Sequence, residues 1–250
     1  MKSNGLGSLH GFSAAIAATI LAAAAAMPGV ALADDELSAN VAVVSDYRFR
    51  GISQTFKRPA LQGGADFAHG SGAYIGTWLS TVDKDFLTDT KGIEWDIYGG
   101  YKFPIGGTGI TGDVGLLQYL YPGESLWNTT ELYLGASWEW LSAKYSHSIS
   151  KRTFGLLDSR GSGYLELNAA YPVPGLDGLS IVGHLGMSRF KNNGSADYED
   201  YKFGVTYDWY GFTWGAAVVG ASEDIPFSKP SGKTKELGKA GLVLSVSKVF

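Results

Sequence analysis

The ten residues Gly241 to Phe250, GLVLSVSKVF, constrain the fold more than any other stretch. Leu242, Leu244, Val246 and Phe250 share one face, while Ser245 and Ser247 occupy the other. A period of two over this length predicts a strand with one oily and one mixed side. Outer-membrane barrels commonly end on an aromatic residue in this way. That resemblance implies a closing strand, with Leu242, Leu244, Val246 and Phe250 read by the barrel-assembly machinery. Lys248 interrupts the pattern, although a lysine near a membrane boundary can extend its ammonium to the headgroups.

The other end reads as a targeting segment. Lys2 supplies a positive charge, Ala14 to Ala26 is an apolar run, and Ala31-Leu32-Ala33 is a small-x-small cleavage site. The expectation is an export signal over residues 1–33, removed before Asp34, leaving residues 34–250 as one β-barrel domain. The chain carries a formal charge of −4, which argues against nucleic acid as a partner, since that needs a basic face. It contains no cysteine, so a disulfide scaffold is excluded. Mean hydropathy near zero does not distinguish a soluble chain from a barrel whose strands average an oily and a wet face.

Alternation recurs along the chain. Ser38 to Arg50 places Val41, Val43, Tyr47 and Phe49 opposite Asn40, Asp46, Arg48 and Arg50. Leu61 to Phe67 follows, then Ala73 to Ser80, whose phase is ambiguous. Ile93 to Lys102 alternates cleanly, and Ile110 to Leu120 comes after a Pro/Gly turn. Leu132 to Trp140, Leu141 to Ser150, Leu165 to Tyr171, Leu179 to Phe190, Tyr201 to Trp209 and Phe212 to Gly220 continue the series to the C-terminal strand. The fold expected is all-β: a transmembrane, antiparallel, up-and-down barrel of about twelve strands. Links after odd-numbered strands are mostly long and polar. Those after even-numbered strands are mainly short, matching outer loops and periplasmic turns. Tyr47, Phe67, Trp78, Tyr101, Trp138, Trp140, Tyr171, Tyr207 and Trp209 cluster near strand ends, as interfacial girdles do.

An outward apolar face turns Asp46, Arg48, Arg50, Asp66, Glu94, Asp96, Glu131, Lys144, Glu166, Lys202 and Asp208 toward the lumen as candidate pore-lining residues. Asp46, Arg48 and Arg50 would stack up a single wall. Rings of charge select ion sign, and acids outnumber bases in this set, which favours cations. The same charges could instead pair and fill a narrow lumen, since twelve strands lie between filled and open barrels.

Ser45-Asp46-Tyr47-Arg48-Phe49-Arg50-Gly51-Ile52-Ser53-Gln54-Thr55, followed by Pro59-Ala60-Leu61-Gln62-Gly63-Gly64, resembles the opening of the TorF family of porins, also catalogued as a conserved proteobacterial family. Tyr74-Ile75-Gly76-Thr77-Trp78, Glu94 to Tyr101 and Tyr119 to Gly123 extend the likeness, which is densest over residues 40–135. The resemblance implies an outer-membrane barrel and a pore. On this reading the partners are outer-membrane lipid, the assembly machinery and small polar solutes or ions. Oligomeric state is left open.

Two other classes compete. One is a structural or adhesive barrel acting through its outer loops. The other is an outer-membrane lipid hydrolase. For the latter, Ser146-His147-Ser148 puts base and hydroxyls on opposite faces. His69-x-Ser71 puts them on one side of a turn, and His184 reads as an ordinary lumen residue. No motif with a mechanism is complete, so no enzyme, cofactor or metal is expected. Asp83, Asp85 and Asp89 could bind a divalent ion weakly, and more often such a group is a solvated loop.

Overall fold

The structure, a computed structural model, describes residues 35–85 and 91–250. The expected export signal and Asp89 lie outside these residues. Twelve long strands close into one barrel. They are β1 (Glu36–Val44), β4 (Ala60–Ala68), β5 (Ala73–Thr81), β6 (Ile93–Pro104), β7 (Thr111–Leu120) and β8 (Thr129–Trp138), then β9 (Leu141–Ser148), β10 (Gly163–Pro172), β11 (Leu179–Arg189), β12 (Tyr198–Trp209), β13 (Phe212–Ala221) and β16 (Gly241–Val249). Four short strands lie outside the wall as two hairpins: β2 (Arg48–Phe49) with β3 (Ile52–Ser53), and β14 (Pro226–Ser228) with β15 (Thr234–Glu236).

Every wall pairing is antiparallel between sequence neighbours, apart from the short hairpins, and β1 to β16 forms the seam. Ala39 and Phe250 exchange backbone hydrogen bonds of 3.2 and 2.8 Å there, so the terminal residue helps seal the cylinder. Closure satisfies the backbone groups that open edges would leave unpaired. Leu242 and Leu244 face outward, 64% and 51% exposed, while Val243, Ser245 and Ser247 line the interior. Lys248 lies over the rings of Phe212 and Phe250 at 5.3 and 5.1 Å, its stem kept along the apolar exterior.

The outer face carries a broad belt of apolar side chains. Leu61, Ile75, Leu134, Leu167, Leu185 and Phe203 are all at least half exposed, a contiguous belt that water would not favour. β5 resolves its ambiguous phase: Ile75 and Leu79 face out, Gly76 and Ser80 in. At the end holding the short turns, Phe67, Tyr101, Trp138, Trp140, Tyr171, Tyr207 and Trp209 project outward as a girdle. Tyr47 and Trp78 do not join it. Tyr47 is buried, and Trp78 turns inward against it with ring centroids 5.5 Å apart.

The first strand is shorter than its alternation predicts. β1 ends at Val44, and residues 45–59 leave the wall. Asp46, Arg48 and Arg50 therefore do not stack up a barrel wall. Their period of two belongs to a second, smaller hairpin folded into the lumen. Residues on both of its faces are buried, including Tyr47, Phe49, Ser53 and Phe56.

Candidate functional site: the lumen and its inserted hairpin

The β2–β3 hairpin turns at Arg50 (φ 46°) and Gly51 (φ 81°). Two central residues at positive φ are what a two-residue type I′ connection requires. Glycine is also demanded by space: a Cβ on residue 51 would fall 2.7 Å from both Asp200 Cβ and the Gly220 carbonyl oxygen. The tip is thus pressed against β12 and β13.

Four groups fix the insert. The Arg50 Nη2 donates to both carboxylate oxygens of Glu131 on β8, at 2.9 and 2.7 Å. In the strand order β8 lies across the barrel from β1, so this bond spans the lumen. The same guanidinium sits 4.0 Å over the Tyr164 ring. Phe49 packs edge-on against Tyr119 and Phe154. Arg48 donates to Asp46 at 2.6 Å and to the carbonyls of Gly51, Leu237 and Lys239 at 3.0, 2.9 and 3.2 Å. Asp46 in turn accepts from Ser53 at 2.6 Å and from Thr55 at 3.2 Å. Lys57, just after the hairpin, is held below the ordinary lysine range by partial burial and then by the nearby Arg48.

The last long connection closes over this insert. The β14–β15 hairpin places Phe227 against Phe56 at 6.3 Å, and Lys235 Nζ donates to the Phe56 carbonyl at 2.9 Å. Lys229, buried between its strands, reaches Asp83 at 2.5 Å and Asp85 at 3.0 Å. Those two carboxylates therefore hold a lysine instead of forming a solvated acidic loop.

Below the insert, polar side chains pair along the inner wall, mostly between neighbouring or next-neighbouring strands. Lys144 meets Glu166 at 2.8 Å, Tyr98 donates to Asp66 at 2.6 Å, and Tyr74 bonds Asp113 at 2.7 Å as well as Tyr133. His184 lies 2.6 Å from the Asn168 Oδ1 and 2.9 Å from Asp200, with Tyr164 bonding the same carboxylate at 3.1 Å. Gly186 leaves the room for that contact, since a Cβ there would collide with the Tyr164 hydroxyl and Asp200. Asp208 sits exposed at the short-turn rim, accepting from Thr213 at 2.6 Å. Lys202 lines a cavity of about 40 Å³ beside the insert, together with Asp46, Arg48, Gln62, Thr206 and Ser247. That is room for roughly three waters.

Glu94 and Asp96 are fully buried on the inner face of β6. Neither accepts a well-aligned hydrogen bond, although the Tyr47 and Tyr121 hydroxyls approach Glu94. Asp113, Asp200 and Tyr74 were not expected in the lumen network. Asp113 and Asp200 follow the inward phase of their strands, and that phase was the signal available in the sequence.

The two serine–histidine pairs lie in different settings. Ser148 accepts from Thr153 at 2.6 Å, and His147 lies 3.4 Å from the Tyr145 hydroxyl on the outer face. His69 and Ser71 are 2.8 Å apart in an exposed turn, with Asp35 3.7 Å away. Among the described residues no three His, Cys, Asp or Glu side chains converge as a metal centre.

Residues 30–250 match the family described as a bacterial protein of unknown function, Gcw_chp. The chain belongs to the Gcw_chp family. No curated protein matches it. Among solved structures, this Gcw_chp chain is similar to the KdgM porin at 10% identity, with a TM-score of 0.54 over 85% of this chain and 99% of that one. A structure described under the in-meso crystallization of membrane proteins aligns at 10% identity and TM-score 0.50, over 86% and 83%. An outer membrane channel from Pseudomonas putida F1 aligns at 12% identity and TM-score 0.47, over 89% and 98%. The first two likenesses bear on the fold alone.

Proposed function

We propose that this chain is an outer-membrane channel for passive diffusion of small polar solutes or ions, constricted by the hairpin inserted from its first connection. The observation that carries this reading is that a charged lumen is crossed by a separate hairpin pinned to the far wall by Arg50 and Glu131. A barrel filled only for stability could use side chains from its own strands. An insert with its own turn and its own anchor is a part that can move independently of the wall. The apolar belt, the aromatic girdle and the expected export signal support the outer membrane as its location, with lipid and the assembly machinery as partners. The likeness to porin barrels and the TorF-like opening motif agree with this reading. No chemical step is invoked.

In this reading Asp46, Arg48, Arg50 and Glu131 form the constriction, and Asp66, Lys144, Glu166, Lys202 and Asp208 line the path toward the periplasmic rim. Planar-bilayer recording of the refolded protein under a salt gradient tests it. Discrete steps with a cation-leaning reversal potential are expected. A second reading, a closed structural or adhesive barrel, is favoured by the small size of the cavity beside the insert. Permanent silence of a correctly folded protein, with partner binding through the outer loops, would select it.

A further inference from the structure

Seven buried side-chain atoms among the described residues lack a hydrogen-bond partner, and they are not scattered at random. Five are acceptor-only oxygens: both of Glu94, both of Asp96, and Oε1 of Gln62. A sixth is the Tyr47 hydroxyl. Gln62, Ser80 and Glu94 form one cross-strand row over β4, β5 and β6, and Asp96 follows Glu94 by two positions on the same inner face. The Tyr47 and Tyr121 hydroxyls approach Glu94, with Arg50 within electrostatic reach, and Asp96 lies within electrostatic reach of Glu94 and Glu131. Aromatic and aliphatic side chains (Tyr47, Val82, Leu117, Tyr119, Trp78) enclose the region.

Charge and hydrogen bonding there are both unbalanced in the same direction. Arg50 is committed to Glu131, which leaves Glu94 and Asp96 with no cation within ion-pair distance among the described residues. An isolated ionised carboxylate in such surroundings is far too costly to persist. Two protons would cancel the charge yet leave most of the oxygen lone pairs unmatched. One divalent, oxygen-seeking cation cancels both charges and accepts several oxygens at once. Carboxylates two apart on a strand point the same way and can close on one ion.

We infer that Glu94 and Asp96 form a binding site for a hard divalent cation in the loop-side half of the lumen, with the neutral oxygens of Tyr47 and Gln62 and water completing its shell. Because Tyr47 belongs to the inserted segment, the ion ties that segment to β6. Calcium suits such an irregular set of oxygens better than magnesium, which demands near-octahedral geometry.

The test uses the full-length refolded barrel, stripped with chelator and titrated with CaCl₂ by calorimetry near pH 7.5, alongside its thermal midpoint. One calcium per chain and a raised midpoint are expected. Both should vanish in Glu94→Gln/Asp96→Asn, whose midpoint without calcium should exceed that of the stripped wild type, because it lacks the two uncompensated charges. Should the double variant not fold, Asp96→Asn alone replaces it, with calcium uptake weakened at least tenfold. No calcium uptake by the wild type, or uptake retained in the variants, would overturn the site. So would an infrared band of a protonated carboxyl in the calcium-saturated wild type that disappears in the Asp96→Asn protein. Binding is read without conductance, so this result stands or falls separately from the channel reading.

Discussion

Replacing Arg50 with alanine removes the anchor that holds the inserted hairpin across the lumen. Two charge-assisted bonds to Glu131 go, as does the contact over the Tyr164 ring. What remains is an almost fully buried Glu131 with no partner cation. Breaking a buried pair from one side costs about 3–5 kcal/mol. The twelve-strand wall keeps its own hydrogen bonds, so the penalty falls on the docked insert more than on the barrel. At about 1.4 kcal/mol per decade, the equilibrium between docked and released insert moves by roughly a hundredfold to a few thousandfold. Arg48, Phe49 and Phe56 still hold the docked form, so the released state becomes populated without becoming dominant. The assay is single-channel recording of Arg50→Ala beside wild type, with amide hydrogen exchange followed over residues 46–56. Open time and exchange should both rise by about two decades or more. The paired variant Arg50→Met/Glu131→Gln, which leaves no bare charge, should recover much of the docking stability and bring open time and exchange back toward wild type. A folded Arg50→Ala protein with unchanged open time and unchanged exchange would refute the reasoning.

Three further outcomes are expected. Gly51→Ala puts a side chain where positive φ and the Asp200 and Gly220 atoms forbid it. It should destabilise the docked hairpin by about 1–3 kcal/mol and speed proteolysis within residues 46–57, with the β-sheet circular dichroism unaltered. Lys229→Ala frees the β14–β15 hairpin from Asp83 and Asp85. Limited proteolysis at residues 229–233 should quicken by about tenfold or more, as hydrogen bonds to charged groups contribute about 1.5–3 kcal/mol. Leu185→Arg, in the middle of β11 and 63% exposed, should lower the stability of the bilayer-refolded barrel by about 2–4 kcal/mol. A water-facing surface would register less than about 0.5 kcal/mol, so a neutral result argues against a lipid-facing belt.

Most of the wall was legible because one physical rule, apolar out and polar in, governs every strand of a closed barrel. The same rule misled at its start. Val41 and Val43 alternate with Asn40 and Ala42, and Tyr47 and Phe49 with Arg48 and Arg50, in one unbroken series. Only the first half is a wall strand. Beyond Ser45 the hairpin also has period two, yet both of its faces are buried, so alternation no longer reports inside and outside. The available signal was Arg50-Gly51, a two-residue turn with glycine at its second position. Lys229 offered no such signal: its pairing with Asp83 and Asp85 spans more than 140 positions. Glu94 and Asp96 were assigned to the inner face from their phase. Their lack of a cation partner depends on where Arg50 goes, which no local pattern encodes.

The most direct test of the central claim is the conductance of a barrel whose residues 46–57 are replaced by a short Gly/Ser turn, recorded in the same bilayer as wild type. The account predicts a large, steady, weakly gated conductance where wild type shows small or infrequent steps. A folded, inserted variant that conducts no better than wild type would show that the hairpin is not the constriction.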